Sequence, residues 1–257
     1  MKYELLIVDL DGVVWRGNKI IRDNIEALKL FMDNGVKVIF ITNNSSRSRK
    51  EYVEKLYSVG LNVSDKDVLT SGFIVAEYLK RRGGKAFVIG EAGLFNELIN
   101  AGLQVVSDLP KVDYVVVGFD RYLTYNKLAK AVEYILKGAL FIATNSDTSL
   151  PINGKIVPGT GAIIAAISAV TGKKPDFIAG KPNPWIIKYV EGKYKVNRNK
   201  ILIIGDRLDT DIQLGKNTNV DTMLVLTGVT KINDPLINVY KPTYVVRSLR
   251  EAINLIL

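Results

Sequence analysis

The chain of 257 residues contains no cysteine and no histidine. Without cysteine, the protein can form no disulfide bond and cannot use a thiol as a nucleophile. Without histidine, it lacks the commonest general base and the usual zinc ligand. Any acid–base or metal chemistry must therefore use carboxylates, lysine, tyrosine or hydroxyl groups.

Long hydrophobic runs are also missing. No apolar run approaches the roughly 20 residues that a membrane-spanning helix needs. The N-terminus leads directly into an apolar strand, which leaves no room for a signal peptide. We therefore expect a cytoplasmic protein with no membrane partner. Hydrophobic residues make up 47% of the chain, enough for a substantial core in one domain or two.

The charge balance is basic, with 35 lysines and arginines against 26 acidic residues and a net charge of +9. Such a balance is compatible with nucleic-acid binding or with the attraction of small anionic substrates. The basic residues are spread along the chain, and the short groups at 47–50 and 80–82 lack the interleaved aromatic residues of a single-strand binder. We therefore favour a lysine-rich solvated surface and expect no nucleic-acid partner.

Alternating strand and helix patterns predict an α/β protein with a Rossmann-like parallel sheet. Residues 5–8, 36–41 and 201–204 are short apolar runs, typical of strands buried on both faces of such a sheet. Two domain boundaries are marked by turn residues: the glycine pair at 83–84 and the Gly-Lys-Lys-Pro stretch at 172–175. We therefore predict a core of residues 1–79 and 178–257, interrupted by an inserted α/β domain at 80–177.

Three of the predicted buried strands end in polar side chains. Asp9 and Asp11 follow the first, Thr42 and Asn43 follow the second, and residues 206–211 (DRLDTD) follow the third. The carboxyl ends of parallel strands share one edge of a sheet, where ligands gather. Two carboxylates 4 Å apart repel each other by about 4 kcal/mol at an effective dielectric near 20. A hard divalent cation such as Mg²⁺ would remove this repulsion.

Two further features predict an anion at the same edge. Residues 42–44 are expected to open the next helix, whose free backbone N–H groups and dipole favour an anion. Lys181, between Gly180 and Pro182, can add a positive charge. A metal, a helix N-terminus, a hydroxyl and an ammonium together describe a phosphoryl-transfer site. Because the chain has no histidine or cysteine, aspartate is the natural covalent nucleophile.

The order of these motifs resembles the haloacid dehalogenase (HAD) superfamily of phosphotransferases. Its four motifs are similar to residues 9–13 (DLDGV), residues 42–43 (TN), Lys181 and residues 205–211 (GDRLDTD) of this chain. A single DxD motif is weak support for this resemblance. Four motifs in the same order, spread over nearly the whole sequence, are strong support. Together with residues 143–147 (ATNSD), they resemble the class IIA subfamily, which includes NagD-like, 4-nitrophenyl phosphate and pyridoxal phosphate phosphatases. That subfamily carries a cap domain between its second and third motifs.

The resemblance implies a role for each matching residue. Asp9 would attack phosphorus and form an aspartyl-phosphate. Asp11 would protonate the leaving alkoxide and then deprotonate the hydrolytic water. Thr42 and Asn43 would hold the phosphate oxygens, and Lys181 would neutralise charge on Asp9 and on the phosphate.

The resemblance also implies a magnesium site and a substrate-facing surface. Mg²⁺ would bind the carboxylates of Asp9 and Asp206 and the main-chain carbonyl of Asp11, with Asp211 contributing from the second coordination shell. The leaving group would be faced by three further polar residues: Asn44, Asn145 and Asp147. The subfamily often pairs through its caps, so a homodimer through the cap is expected here.

We therefore predict a Mg²⁺-dependent phosphatase that hydrolyses small phosphomonoesters, with 4-nitrophenyl phosphate as an artificial substrate. Phosphoglycolate, sugar phosphates and nucleotides all remain open as natural substrates. One alternative is a phosphomutase, which uses the same aspartyl-phosphate but returns the phosphoryl group to an intermediate. An alternative of another class is a basic nucleic-acid-binding protein, whose binding would weaken steeply with salt and survive loss of Asp9.

Overall fold

The computed structural model describes residues 2–152 and 155–257. Within them the strands are β1 (Leu5–Asp9), β2 (Trp15–Arg16), β3 (Lys19–Ile20), β4 (Lys37–Thr42), β5 (Val68–Thr70), β6 (Lys85–Ile89), β7 (Gln104–Val106), β8 (Tyr114–Val117), β9 (Leu140–Ala143), β10 (Ser149–Ile152), β11 (Lys155–Pro158), β12 (Phe177–Ile178), β13 (Ile201–Gly205), β14 (Asp221–Val225) and β15 (Tyr244–Val246). The α-helices are α1 (Arg22–Asp33), α2 (Arg49–Ser58), α3 (Ser71–Lys80), α4 (Ala92–Asn100), α5 (Tyr125–Leu136), α6 (Thr160–Thr171), α7 (Trp185–Tyr194), α8 (Gln213–Thr218), α9 (Ile237–Tyr240) and α10 (Ile253–Ile256).

The described residues form two compact units. The first comprises Met1–Thr42, Tyr52–Leu69 and Lys181–Leu257, and the second comprises Asn43–Glu51 and Thr70–Gly180. The divisions between the units therefore fall at 42/43, 51/52, 69/70 and 180/181. The cap bounds of 80–177 stay a prediction. Helix α3 packs against α4, which is why the residues of α3 belong with the second unit.

The first unit is built on one sheet with the strand order β15-β14-β13-β1-β4-β5. Strand β1 is central and runs parallel to β13 and β4. All of its residues are buried, because the sheet is covered on both faces. The register pairs Asp9 with Ile41 and Val8 with Ile204, so the ends of the three strands lie at one edge of the sheet. This arrangement confirms the parallel sheet predicted from the apolar runs.

The second unit has its own parallel sheet, with the order β12-β9-β8-β6-β7. Its core includes Phe87, Val115 and Phe141 from the strands, and Ile135 and Ile167 from the helices. A separate antiparallel pair joins β10 to β11. The unit is therefore an α/β domain with a hydrophobic core of its own.

The segment after β4 differs from the prediction. Helix α2 begins at Arg49, so residues 42–44 do not open it, and residues 43–48 form a loop instead. The side-chain oxygen of Asn44 accepts a hydrogen bond from the backbone N–H of Ser46, an Asx turn that competes with helix formation. Ser48 and Glu51 then exchange hydrogen bonds that cap the helix. The prediction that residues 42–44 open the next helix was therefore wrong.

No helix in residues 2–152 and 155–257 combines the length and the apolar character needed to cross a bilayer.

Candidate active site

The side chain of Lys181 joins two carboxylates in the first unit. Its Nζ atom donates hydrogen bonds to Oδ1 of Asp9 and to Oδ1 of Asp211, each at 2.6 Å. All three side chains are buried. Burial by itself would lower the pKa of Lys181, but the carboxylates of Asp211 and Asp9 raise it above its ordinary value. The ammonium therefore stays protonated.

The carboxylates carry more negative charge than this one ammonium can balance. Burial raises the pKa of Asp9 well above its ordinary range, and Lys181 offsets only part of the effect because Asp211 and Asp206 raise the pKa further. Burial and the charge of Asp211 raise the pKa of Asp206 to about 6. Both Asp9 and Asp206 are thus more easily protonated than an aspartate in water, and a further cation would favour their ionised forms.

The geometry of the acidic group fits a divalent cation. Carboxylate oxygens of Asp9, Asp206 and Asp211 lie within 4.8 Å of one another. Oδ2 of Asp206 accepts a hydrogen bond of 2.6 Å from the backbone N–H of Val229. Oδ1 of Asp206 is buried and has no hydrogen-bond partner among the described residues. A buried acceptor without a partner is costly, and carboxylate oxygens are the ligands that Mg²⁺ prefers. The residues present therefore fit a bound Mg²⁺ ion.

Asp206 lies in a cradle of backbone atoms. Gly12 adopts a φ of +89° on one side, and a Cβ atom at Gly12 or at Gly228 would collide with the Asp206 carboxylate. The main-chain oxygen of Asp206 accepts a hydrogen bond of 3.2 Å from the N–H of Thr230. The loop after β14 therefore holds Asp206 by backbone hydrogen bonds, and Gly12 in the loop after β1 packs against its carboxylate.

Asp11 and Thr42 are placed by the same strand ends. Asp11 is exposed, and its Oδ1 accepts a hydrogen bond of 2.9 Å from the indole Nε1 of Trp15. Thr42 is the last residue of β4 and is buried. The carboxylate of Asp11 does not belong to the acidic group that Asp9, Asp206 and Asp211 form within the described residues.

Four residues that were predicted to face the phosphate or the leaving group lie in the second unit: Asn43, Asn44, Asn145 and Asp147. Three of them interact. Asn43 Nδ2 donates to Oδ2 of Asp147 at 3.1 Å, and Asn145 Nδ2 donates to the main-chain oxygen of Asn43 at 2.8 Å. Asn145 Oδ1 also accepts from the N–H of Asp147 at 3.0 Å. Asn145 is only 3% exposed, and its amide donates hydrogen bonds inside the unit.

Two elements that contact the site residues were not predicted from the sequence. They are Trp15, whose indole N–H binds Asp11, and the loop of residues 227–230 (TGVT), whose backbone binds Asp206. A signal for that loop did exist, because it follows strand β14 at the edge where the other polar strand ends lie. Gly228 in this loop is typical of a place where the backbone closely approaches another group, here the carboxylate of Asp206.

The chain matches two family models, one described as haloacid dehalogenase-like hydrolase over residues 6–104 and one described as HAD-hydrolase-like over residues 178–252. An acid sugar phosphatase from Staphylococcus aureus (strain USA300) is 36% identical over 258 residues, covering 98% of this chain and 97% of that protein.

Several solved structures share the fold over nearly the whole chain. The p-nitrophenyl phosphatase from Archaeoglobus fulgidus superposes with a TM-score of 0.94 at 35% identity, covering 99% of this chain and 100% of that one. The 4-nitrophenylphosphatase from Thermotoga maritima gives a TM-score of 0.94 at 38% identity, covering 100% and 98%. A glycerol phosphate phosphatase from Mycobacterium tuberculosis, solved in complex with calcium, gives 0.85 at 32% identity, covering 96% and 74%.

These similarities confirm the predicted fold class, a Rossmann-like core with an inserted α/β cap. The chain belongs to the haloacid dehalogenase-like hydrolases. Within them it is a phosphatase of the class IIA group, together with the NagD-like proteins and the nitrophenylphosphatases.

Proposed function

We propose that this phosphatase hydrolyses small phosphomonoesters through a phosphorylated Asp9, with Mg²⁺ as its cofactor. The observation that carries the proposal is the buried group in which Lys181 bridges Asp9 and Asp211 beside the unpaired Oδ1 of Asp206. A buried carboxylate at a strand end, paired with a fixed ammonium, is suited to nucleophilic attack on a phosphoryl group. No histidine or cysteine competes for that role.

The proposed first step forms an acyl phosphate on Asp9. A carboxylate oxygen of Asp9 attacks phosphorus, the bond between phosphorus and the ester oxygen breaks, and the leaving alkoxide takes the proton of Asp11. Lys181 favours the ionised form of the Asp9 carboxylate, as a bound cation would, and balances charge on the phosphoryl oxygens. Thr42 would bind one of those oxygens through its hydroxyl, and Asn43 would contribute its backbone N–H or its amide.

The proposed second step releases inorganic phosphate. Asp11, now ionised, accepts a proton from a water molecule as that water attacks phosphorus. The bond between phosphorus and the Asp9 oxygen breaks, which restores both aspartates to their starting state. The same carboxyl group thus serves as acid in one step and base in the next.

Mg²⁺ would be held by the carboxylates of Asp9 and Asp206 and by the main-chain carbonyl of Asp11, with Asp211 supporting from the second coordination shell. When bound, it supplies positive charge that balances the carboxylates and the phosphoryl oxygens. The orphaned Oδ1 of Asp206 supports this assignment.

We propose a small organic phosphate as the substrate. The support is the similarity to proteins described as an acid sugar phosphatase and as nitrophenylphosphatases. Asn44 and Asp147 are the proposed contacts to the leaving group. Asn145 is instead proposed to act indirectly, because its amide holds the backbone of Asn43.

The test is phosphate release from a panel of phosphomonoesters with Mg²⁺, including 4-nitrophenyl phosphate, glycerol phosphate and sugar phosphates. We expect activity that excess chelator abolishes and that Asp9→Asn lowers by about three orders of magnitude or more. The matched control is Asp33→Asn, which makes the same chemical change at an exposed position. Acid quenching during turnover should leave phosphate on the peptide that contains Asp9.

Several outcomes would contradict the proposal. Activity that survives Asp9→Asn would exclude the covalent step, and full activity in excess chelator would exclude the cation. An isomerised ester without phosphate release would identify a phosphomutase instead.

A further inference from the structure

Trp15 makes a direct hydrogen bond to the proposed acid–base residue. Its indole Nε1 donates to Oδ1 of Asp11 at 2.9 Å. Asp11 itself is exposed, whereas Trp15 is 1% exposed. An exposed carboxyl group can adopt several side-chain rotamers, and a hydrogen bond from a rigid buried ring restricts that choice.

The indole ring is itself held in place from several directions. Trp15 lies in β2, which pairs with β3 through Ile20. The ring belongs to the hydrophobic core of the first unit. Lys55 from helix α2 places its Nζ 3.6 Å from the ring centroid, a cation–π contact. The direction of the indole N–H is therefore set by packing that does not involve Asp11.

The backbone between Asp11 and Trp15 is also fixed by hydrogen bonds. The N–H of Gly12 donates to the main-chain oxygen of Trp15 at 2.6 Å. The main-chain oxygen of Gly12 accepts from the hydroxyl of Thr227 at 2.6 Å, and that of Val13 accepts from the buried amide of Asn24 at 2.8 Å. Both ends of the hydrogen bond between Trp15 and Asp11 thus rest on a rigid loop.

We propose that Trp15 is a positioning residue that orients the carboxyl group of Asp11 for proton transfer. The inference rests on the proposed function. Because Oδ1 accepts the indole N–H, the transferable proton lies on Oδ2. Oδ2–H gives its proton to the ester oxygen as the bond between phosphorus and oxygen breaks, and Oδ2 later takes a proton from the attacking water.

The role predicts a dependence on the leaving group. An alkoxide is a strongly basic leaving group and needs the proton of Asp11, whereas 4-nitrophenolate is a weak base and leaves with little help. Trp15→Phe keeps an aromatic ring in the core but removes the N–H. We expect kcat/KM for glycerol phosphate to fall about tenfold, and that for 4-nitrophenyl phosphate to fall by less than about threefold.

Two matched comparisons separate positioning from a loss of packing. Phe31→Leu also replaces a buried ring of the same core with a smaller side chain. It should change kcat/KM for both esters by the same factor. In an Asp11→Asn background, Trp15→Phe should add no further discrimination between the esters, because coupled residues are not additive. An equal loss for both esters, or added discrimination in that background, would overturn the inference.

A spectroscopic readout covers the case in which Trp15→Phe does not fold. The chain has two tryptophans, Trp15 and Trp185, so their indole N–H resonances can be assigned by nitrogen-15 NMR. Asp11→Ala removes the acceptor, so it should shift the Trp15 resonance and leave that of Trp185 in place, and an unshifted Trp15 resonance would overturn the inference. A wild-type protein that releases phosphate from neither ester would overturn the proposed function, and this inference with it.

Discussion

The ammonium of Lys181 lies 2.6 Å from Oδ1 of Asp9, and both side chains are buried. The ion pair joins two residues that are 172 positions apart in the sequence, at the carboxyl edge of the central strands. The ammonium offsets part of the effect of burial on the pKa of Asp9, which favours the ionised form that the proposed nucleophilic role needs. Its removal therefore tests both stability and chemistry.

Lys181→Met should leave Asp9 and Asp211 without their shared counter-ion. Removing one partner of a buried ion pair costs about 3–5 kcal/mol, so the free energy of unfolding in chelator should fall by that amount. Hydrolysis should fall by at least about a hundredfold. Chemical denaturation and steady-state kinetics measure the two effects. Lys19→Met, at an exposed position, is the control, and an equal response of the two variants would refute the role of the ion pair.

Asp206→Asn should change the pH dependence of stability in chelator. The folded protein raises the pKa of Asp206 from 3.8 to about 6, through burial and the charge of Asp211. A raised pKa means that the contribution to stability is fully present below about pH 3.8 and is lost as pH rises through about 6. Asp206→Asn removes this loss, so its stability relative to wild type should rise by about 3 kcal/mol between pH 4 and pH 7.

Added Mg²⁺ should reverse that order. The wild-type protein should gain about 2.7 kcal/mol at a hundred times its dissociation constant, while Asp206→Asn should gain little. Thermal unfolding with and without Mg²⁺ measures both effects. A stability difference that does not change with pH would contradict the assigned pKa shift, and an equal gain in the two proteins would contradict the metal assignment.

Gly12→Ala should disturb the acidic group through Asp206. Gly12 has a φ of +89°, and a Cβ atom there would collide with the carboxylate of Asp206. Gly17, in the same region, has a φ of +60° with no described heavy atom within 4 Å of its Cβ position, which makes Gly17→Ala a matched control. Both variants should lose about 1–2 kcal/mol of stability from the backbone conformation.

Only Gly12→Ala should also lose activity, by about tenfold or more, together with its thermal response to Mg²⁺. Activity assays and Mg²⁺ titrations followed by thermal unfolding distinguish the two variants. If Gly17→Ala loses as much activity, then the close approach of Gly12 to Asp206 does not explain the loss of activity in Gly12→Ala.

Asn145→Ala should affect all esters alike. The amide of Asn145 and the hydroxyl of Ser71 both donate to the main-chain oxygen of Asn43, at 2.8 Å and 2.6 Å. Loss of either donor costs about 1–3 kcal/mol of stability, because a buried hydrogen bond is broken. Asn145→Ala and Ser71→Ala should therefore lower kcat/KM by similar factors for aryl, glycerol and sugar phosphates. A loss confined to one ester would instead support the direct contact predicted from the sequence.

The central strands and the order of the site residues could be predicted because each depends on a local pattern. Continuous apolar runs mark β1, β4 and β13, and polar residues follow each run at the shared edge. The loop after Thr42 could not be predicted in the same way, since an Asx turn at Asn44 replaced the expected helix start. The two-residue strands β2 and β3 are too short to show any periodicity.

The finer geometry of the site depends on contacts between residues far apart in sequence. Nothing local indicates that the N–H of Val229 binds Asp206, or that the amide of Asn145 turns inward to Asn43. The hydrogen bond between Trp15 and Asp11 spans four positions, but a tryptophan near an aspartate more often reflects packing alone. Such contacts follow from the completed fold and have no periodic signature in the sequence.

The strand order has a consequence for how the protein is made. Strand β1 carries Asp9, and one of its two neighbours, β13, is synthesised only after the whole second unit. A nascent chain therefore exposes one hydrogen-bonding edge of β1 until Ile201–Gly205 has left the ribosome. Asp206 and Asp211 emerge later still, so the proposed nucleophile is translated before the carboxylates that shift its pKa. A truncated product of interrupted translation would carry Asp9 without the residues that set its charge.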